Sequence, residues 1–458
     1  MSGELTTAFV STAMSGLGYE VLGGHAAPIF GGTADSRLVK TGYLFSAFRG
    51  ERLNGNDYLE EAVTAGAVAT VSERRPLRRE ANCTYVIGSD SRQTMADLAR
   101  TWRAECPAQV IGITGTVGKT TAKELLAGAL DSSYRTHRSP GNFNSREGLP
   151  LALCSLTKEH EISVLEMAMD SAGEIAELCD IAKPDVGIVL NIGRTHVSKL
   201  GSIEAIAAEK LALPRELSAK GTAVLNADDS RVAASIPELS CKVLTFGIEN
   251  DADVRGRNIR GHGLEGTEFD VTYGRKTVAV ALAIPGLHVV PAALASIAAM
   301  LAVGMRFPKA AEAVTNANVP GRMNVAKSRK GFTILDDRYN SSPASLDGAL
   351  RMLGGLAGRR IALLGEMAEL GEFSEEEHLA IGKLCATTCD AVFAVGLLCQ
   401  HLVDAAKEAG LEQVTWFPTK EAAAAAALEF ASAGDYVLVK ASRGQAFETV
   451  LPLLEGTA

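Results

Sequence analysis

The chain has 458 residues, of which 47% are hydrophobic and 22% are charged, and its formal net charge is −9. This composition excludes a disordered chain and a simple coiled coil, and the length predicts about two to four domains, of which we expect three. The acidic balance argues against nucleic acid or an anionic membrane as the main partner, because either needs a basic surface to bind phosphate. We therefore expect no nucleic-acid partner and no membrane insertion.

The cysteines and the amino terminus bear on the compartment. The eight cysteines are scattered, with no Cys-x-x-Cys pair and no His cluster at zinc spacing, which is typical of reduced packing residues. The amino terminus lacks a basic lead and an apolar segment of signal type, and no apolar run approaches the roughly 18 residues of a membrane span. These features predict a cytoplasmic protein.

The first predicted domain covers residues 1–106 and is a small α/β unit, with short apolar runs at 41–48 and 66–72 and a helical stretch between them. The second covers residues 107–319. Buried runs at 110–114, 162–169, 185–192 and 221–229 alternate with helical segments, which predicts a parallel sheet covered on both faces. Between 242 and 285 the runs become short and alternating, and we expect an antiparallel insertion or edge there.

The third predicted domain covers residues 320–458. The segment VPGRM at 319–323 is predicted to be a linker, because Pro and Gly follow a helical stretch. A new series of apolar runs follows at 332–337, 359–365, 390–396 and 434–444, again with helices between. This series predicts a second doubly wound, Rossmann-like unit, in which ligands lie beyond the carboxyl ends of the strands.

The strongest local signal is a glycine-rich turn between the run at 110–114 and the following helix. Its glycines allow successive N–H groups and the helix amino terminus to face an anion, a Lys adds a positive charge, and a Thr hydroxyl can bind Mg²⁺. The spacing is shorter than the usual phosphate loop. The pattern predicts nucleotide phosphate binding by Gly115, Thr116, Gly118, Lys119, Thr120 and Thr121.

Three further side chains follow the central strands. Glu166 ends a buried run, so it should emerge at the same sheet edge as the glycine-rich turn, where a carboxylate can hold Mg²⁺. His196 follows the next run, and Lys210 lies in a helical stretch. Taken alone, a surface Glu at the start of a loop explains Glu166 equally well. A structural or solvated His and an exposed Lys are the more ordinary explanations of His196 and Lys210.

The order of motifs TGTVGKTT, EMAMDSAGEIAEL, NIGRTHVSKLGSIEAIAAEK, VLNADD, VPGRM and DDRYNSSP resembles that of the Mur ligases, which build the peptide of the cell-wall precursor with ATP. The amino-terminal segment DSRLVKTGYLFSAFRGERLNGNDYL extends the resemblance to essentially the whole chain. Within the family, the segments at 336–350, 363–378 and 439–448 are most similar to the ligases that add D-alanyl-D-alanine to a UDP-N-acetylmuramoyl tripeptide. The Asp-Asn-Pro-Arg tetrapeptide of the diaminopimelate- or lysine-adding relatives is not found.

The resemblance implies roles for individual residues, with ATP and Mg²⁺ as cofactors and a monomeric enzyme. The catalytic residues would be Lys119, Glu166, His196 and Lys210. The metal would be held by Thr120, Glu166, His196 and, if carbamylated, Lys210. Beyond the glycine-rich turn, the nucleotide would be contacted by Arg322, Asp336, Tyr339 and Asn340. The substrates would be contacted by Ser36 and Arg37 at the uridine end, by Asn142 and Asn144, and by Ser442 and Arg443 near the incoming dipeptide.

Several positions depart from the family pattern. Val117 stands where Asn is usual in the loop, Ser198 replaces an acidic residue, and Ala441 replaces a Gly. Val289 and Ala292 replace the two Asn residues whose amides hold adenine in relatives. Two alternatives therefore stay open: a related ligase that joins a different carboxylate and amine, and a non-catalytic nucleotide-binding relative. The joint presence of the predicted catalytic residues argues against the second.

Overall fold

Three helix-covered sheets follow one another along the chain in the computed structural model, which describes residues 3–50, 53–194, 197–317, 324–338 and 340–456. The α/β fold class with three domains is thus confirmed. The linker predicted at 319–323 lies outside the described residues, and the domain boundaries stay predictions. In the described ranges, no helix combines the length and apolar character needed to cross a membrane.

The N-terminal domain has a five-stranded sheet of order β2-β7-β6-β5-β4, in which only β2 is antiparallel to its neighbour, and a separate antiparallel pair of β1 and β3. Its elements are β1 (Leu5–Thr6), α1 (Thr7–Gly16), β2 (Glu20–Leu22), β3 (Pro28–Ile29), β4 (Gly31–Thr33), β5 (Tyr43–Ser46), α2 (Leu59–Thr64), β6 (Ala67–Ser72), β7 (Thr84–Ile87) and α3 (Ser91–Glu105).

The central domain has a nine-stranded sheet of order β16-β15-β14-β13-β12-β11-β8-β10-β9. Its strands are β8 (Gln109–Thr114), β9 (Thr136–Arg138), β10 (Ile162–Glu166), β11 (Val186–Val189), β12 (Thr222–Asn226), β13 (Lys242–Gly247), β14 (Val254–Gly261), β15 (Thr267–Tyr273) and β16 (Lys276–Leu282). Its helices are α4 (Lys119–Leu130), α5 (Gly148–Leu153), α6 (Glu174–Ala182), α7 (Val197–Leu200), α8 (Ile203–Lys210), α9 (Ala212–Arg215), α10 (Ser230–Ala234), α11 (Val290–Ala302) and α12 (Phe307–Thr315).

The antiparallel edge predicted for 242–285 is only partly correct. Strand β15 is antiparallel to both of its neighbours, β14 and β16, as expected. Strand β13, however, runs parallel to β12 and extends the parallel part of the sheet. The prediction was wrong for β13 because a strand's direction is set by the connection that delivers it, and the segment's own alternation carries no information about that connection.

The C-terminal domain has a six-stranded sheet of order β17-β18-β22-β19-β20-β21, parallel except for the edge strand β17. One face packs against α13, α14 and α15 and the other against α16 and α17, so the strands are buried on both sides. Its elements are β17 (Asn324–Lys327), β18 (Thr333–Asp336), α13 (Pro343–Gly354), β19 (Arg360–Leu364), α14 (Ser374–Thr388), β20 (Ala391–Val395), α15 (Cys399–Glu408), β21 (Val414–Phe417), α16 (Lys420–Phe430), β22 (Tyr436–Lys440) and α17 (Leu451–Glu455).

The domains join the central sheet in different ways. Apolar side chains of the N-terminal domain and of the central domain form one continuous core, to which Met14, Met95, Leu149 and Leu151 all belong. The C-terminal domain instead has its own two apolar clusters. The eight cysteines are free, and all but Cys241 are buried, as expected of packing residues.

Candidate active site

The glycine-rich turn connects β8 to α4 at the carboxyl edge of the central sheet. Gly118 caps α4 with a φ of 86°, a left-handed conformation that favours glycine. A Cβ on Gly115 would lie 2.9 Å from the Cβ of Leu190, so only glycine lets the turn approach β11 this closely. The first N–H groups of a helix have no acceptor within the helix, so they and the helix dipole suit this turn to an anion.

Lys119 folds back over the turn. Its Nζ donates to the carbonyl oxygens of Gly115, at 2.7 Å, and Thr116, at 3.2 Å. The positive charge is thereby held beside the start of α4, where a phosphate would bind. Thr120 and Thr121 are half-buried in the first turn of the same helix.

The shape of the turn depends on Asn191, a residue that the sequence reasoning missed. Its Oδ1 accepts from the backbone N–H groups of Thr116, at 3.1 Å, and Val117, at 2.9 Å, and its Nδ2 donates to the carbonyl of Val117 at 3.0 Å. Asn191 is the second residue after β11, so its position after a buried strand was the available signal.

Glu166 ends β10 beside the turn, since the sheet register pairs it with Ile113 of β8. The side chain is 3% exposed, and its Oε1 accepts from Asn144 Nδ2 at 2.8 Å. Its Oε2 is buried and has no hydrogen-bond partner among the described residues. Because a buried carboxylate oxygen without a partner is costly, this atom fits a metal ligand.

The donor set near Glu166 suits Mg²⁺. No group of three His, Cys, Asp or Glu side chains clusters within the described ranges. A metal at this edge would therefore depend on one carboxylate, a Thr hydroxyl such as that of Thr120, water and phosphate oxygens, which is the pattern Mg²⁺ accepts. His196, the other predicted metal residue, lies outside the described residues.

Lys210 lies against the same turn at the end of α8. It is 2% exposed, and its Nζ donates to the carbonyl of Gly115 at 3.1 Å. Burial, with a smaller contribution from the charge of Lys119, holds the pKa of the Lys210 amine well below its ordinary value. A lowered pKa favours the neutral form of a lysine amine, which is its nucleophilic form.

The C-terminal domain contributes polar groups at the carboxyl ends of its strands. Asp336 ends β18, is 8% exposed, and forms an ion pair with Arg338 at 3.1 Å. Burial raises the pKa of the Asp336 carboxyl. The carbonyl of Asn340 accepts from Nζ of Lys440 at 3.0 Å. Arg322 and Tyr339, predicted nucleotide contacts, lie outside the described residues.

A cavity of about 360 Å³ lies between the turn and the C-terminal domain. Thr116, Val117 and Asn191 line one side, and Ser342 and Pro343, at the start of α13, line the other. The phosphate end of a nucleotide bound at the turn would thus face the segment that follows Asn340.

The remaining predicted substrate residues are spread over the three domains. Ser36 is buried, and its Oγ donates to Glu61 at 2.9 Å. Arg37 is exposed and forms a double hydrogen bond with Asp35, which lowers the pKa of that carboxyl. Neither residue lies in the cavity beside the turn. At the other end of the chain, Arg443 is exposed.

Ser442 and Asn142 hold loops. The Ser442 hydroxyl donates to the carbonyl of Glu366 at 2.7 Å and accepts from the N–H of Ala368 at 2.8 Å. The carbonyl of Asn142 accepts from the N–H of Asn144, whose amide binds Glu166.

Val289 and Ala292, 2% and 4% exposed, belong to the apolar core beside α4, so their side chains offer a base no polar atom.

The sequence is similar to known protein families and to individual proteins. The sequence models described as "Mur ligase middle domain" and "Mur ligase, glutamate ligase domain" match residues 113–300 and 321–443. The UDP-N-acetylmuramoyl-tripeptide–D-alanyl-D-alanine ligase of Bacillus subtilis (strain 168) is 33% identical over 428 residues, which cover 92% of each chain. The chain belongs to the Mur ligase family.

Solved structures of Mur ligases agree with the fold. MurF from Acinetobacter baumannii has a TM-score of 0.85 at 26% identity, covering 99% of both chains. MurF ligase from Thermotoga maritima, solved in complex with ADP, has a TM-score of 0.78 at 30% identity and covers 93% of this chain and 97% of its own. The resemblance to the Mur ligases is thus confirmed over all three domains.

Proposed function

We propose that this Mur ligase uses ATP to join D-alanyl-D-alanine to the terminal carboxylate of a UDP-N-acetylmuramoyl tripeptide, a step of peptidoglycan precursor synthesis. The observation that carries the proposal is the buried amine of Lys210 against Gly115 of the phosphate loop. A protein that only binds nucleotide has no need to bury a lysine there. The substrates are those named for the Bacillus subtilis relative.

The first step activates the tripeptide. A carboxylate oxygen attacks the γ-phosphorus of ATP, the bond to the β-phosphate oxygen breaks, and ADP leaves an acyl phosphate on the tripeptide. A carboxylate needs this activation because its own leaving group would be oxide. Lys119 and the N–H groups at the start of α4 neutralise the charge that develops on the phosphates.

The second step forms the amide. The amine of D-alanyl-D-alanine attacks the acyl carbon, phosphate leaves, and the amine proton passes to solvent. The enzyme's contribution is to position the two reactants and to exclude water from the acyl phosphate. The cavity between the phosphate loop and α13 provides a site that the C-terminal domain covers.

Mg²⁺ would be held by Glu166 and Thr120, together with His196, and when bound it would stabilise the negative charge of the transferred phosphoryl group. A carbamate on Lys210 would add an oxygen ligand. It forms when the neutral Nζ attacks the carbon of carbon dioxide and loses a proton to solvent, which converts a neutral amine into an anion. The lowered pKa of the amine favours that reaction at neutral pH.

The residues predicted to contact the two ends of the substrates belong to different domains. Ser36 and Arg37 would lie at the uridine end, Asn142 and Asn144 near the tripeptide, and Ser442 and Arg443 near the dipeptide. Asp336 and Asn340 would contact the nucleotide from the C-terminal domain. These assignments are supported by the family resemblance.

The test is a screen of substrate pairs for ATP-dependent phosphate release, with mass spectrometry of the product. Release should require both a UDP-N-acetylmuramoyl tripeptide and D-alanyl-D-alanine, and the Lys119→Ala variant should serve as the inactive control. Tripeptides that end in lysine and in diaminopimelate are compared in parallel, which identifies the third residue. Release with neither tripeptide would contradict the proposal.

A second candidate function is a Mur ligase that joins a different carboxylate and amine. It is favoured by the apolar, buried Val289 and Ala292 and by Ala441, which is fully buried beside Ser442. In the same screen this candidate predicts phosphate release with another substrate pair and none with the pair proposed above.

A further inference from the structure

The contact between the C-terminal and central domains is charged where it borders the cavity. Arg194 of the central domain lies three residues after Asn191 and lines that cavity. Its Nη1 lies 3.0 Å from Glu376 Oε1 and 3.4 Å from Glu377 Oε1, both in the first turn of α14. The guanidinium carbon also lies 4.3 Å from the centre of the Phe373 ring.

A second ionic contact also joins these two domains. Lys199 of α7 is 3.1 Å from Asp170 in its own domain and 3.6 Å from Glu369 of the C-terminal domain. In contrast, the N-terminal domain shares an apolar core with the central domain. Polar interfaces of this kind permit relative domain motion, whereas shared apolar cores oppose it.

The position of Glu377 gives Arg194 a second effect. Glu377 lines the cavity together with Thr116 and Val117 of the phosphate loop. Its negative charge would repel nucleotide phosphates bound there unless a cation compensates it. Arg194 supplies that compensation only when the C-terminal domain is docked, because the carboxylate and the guanidinium belong to different domains.

We propose that Arg194 is a positioning residue that holds the C-terminal domain over the phosphate loop and neutralises Glu377 beside the nucleotide. The consequence for catalysis rests on the proposed function, since a domain that undocks exposes the acyl phosphate to water. The intermediate then hydrolyses, so that ATP is consumed without formation of the amide bond.

The first test measures docking without any substrate. Small-angle X-ray scattering compares the full-length enzyme with its Arg194→Gln variant. The variant should have the larger radius of gyration, and Arg194→Glu combined with Glu376→Arg should return it toward the wild-type value. An unchanged radius in Arg194→Gln, or no recovery in the swapped pair, would overturn the proposal whether or not the assigned reaction is correct.

The second test measures how tightly phosphate release is coupled to amide formation. It uses the substrate pair with which the enzyme turns over. Arg194→Gln should lower kcat roughly three- to tenfold, the range expected for one exposed ion pair with a ring contact. It should also raise the ratio of phosphate released to peptide formed above that of the wild type, and Arg194→Lys should restore part of both. A purely structural role would leave that ratio unchanged, and this result would contradict the proposal.

The matched control is Arg215→Gln. Arg215 forms a 2.9 Å ion pair with Glu238 inside the central domain, and its side chain is 44% exposed compared with 37% for Arg194. This variant should change neither the radius nor the coupling ratio. If the wild type releases phosphate with no substrate pair, the proposed function fails, while the scattering measurement still decides the role of Arg194.

Discussion

At the scale of single residues, Lys210 illustrates how burial determines chemistry. The same side chain on the surface would be a permanent cation, but here desolvation and the charge of Lys119 favour the neutral amine. The carbonyl of Gly115 accepts one of its hydrogen bonds, which aims the Nζ at the phosphate loop. The residue is therefore suited to modification by carbon dioxide and unsuited to hold a phosphate by charge alone.

We predict that the reaction rate of the enzyme depends on dissolved carbon dioxide through Lys210. Removing bicarbonate should lower wild-type activity, and adding it back should restore the activity. Lys210→Ala should lose about 10²-fold in kcat, as expected for removal of one preorganised electrostatic group, and should not respond to bicarbonate. Steady-state assays at fixed pH measure both effects.

The control for Lys210 is Lys276→Ala, which changes an exposed lysine on β16. It should keep the full rate and the full response to bicarbonate. A wild-type rate that is insensitive to bicarbonate would contradict the carbamate and leave Lys210 as a hydrogen-bond donor to the loop.

At the scale of elements, helix α4 is tied to the loop that carries Asn144. Lys123 of α4 is fully buried, and its Nζ donates to the carbonyls of Ser139 and Gly141, both at 2.8 Å. The Ser139 hydroxyl accepts from the N–H of Glu166 at 3.2 Å. The phosphate-loop helix and the candidate metal carboxylate are therefore positioned by one shared loop.

Lys123→Met tests this connection. The substitution keeps the volume but leaves the two carbonyls without their donor, so the free energy of unfolding should fall by about 2–4 kcal/mol. Urea denaturation measures the loss, and Lys407→Met, at an exposed position of α15, is the control. A loss no larger than that of the control would mean that the carbonyls find other donors.

Sequence patterns predicted some of the strands and contacts of this protein and missed others. Long apolar runs predicted β8, β10, β11 and β12 correctly because burial on both faces demands unbroken apolar residues. Strands β17 and β21 were missed, since each has four residues with mostly half-buried or exposed side chains. Asn191 and Lys440 were missed because their partners, Val117 and Asp337, are distant in the chain.

At the scale of the whole molecule, stability should depend on the pH through His137. This ring is buried between β9, β10 and α5, with Nδ1 2.8 Å from Ser163 Oγ and Nε2 3.2 Å from the carbonyl of Ala152. Burial, with a smaller effect of neighbouring His160, lowers the pKa of His137 to about 3. The positive charge of Arg138, the next residue in β9, acts in the same direction.

The sign of the effect follows from proton binding. Between the ordinary His pKa of about 6.5 and the folded value of about 3, the unfolded chain binds a proton that the folded chain does not. The free energy of unfolding should therefore fall by about 1.4 kcal/mol per pH unit as the pH drops from 6 to 4, for this one group. Buried His378, whose pKa burial also lowers, adds to the loss.

The measurement is urea denaturation at several pH values between 4 and 7, for the wild type and for His137→Gln, which lacks the titrating ring. The variant should be less stable at pH 7, because it loses the buried contacts, yet its stability should fall less steeply toward pH 4. His401→Gln, at a side chain that is 39% exposed, is the control for the loss of a less buried ring. Equal slopes for the wild type and His137→Gln would mean that His137 accepts its proton without unfolding, which its burial opposes.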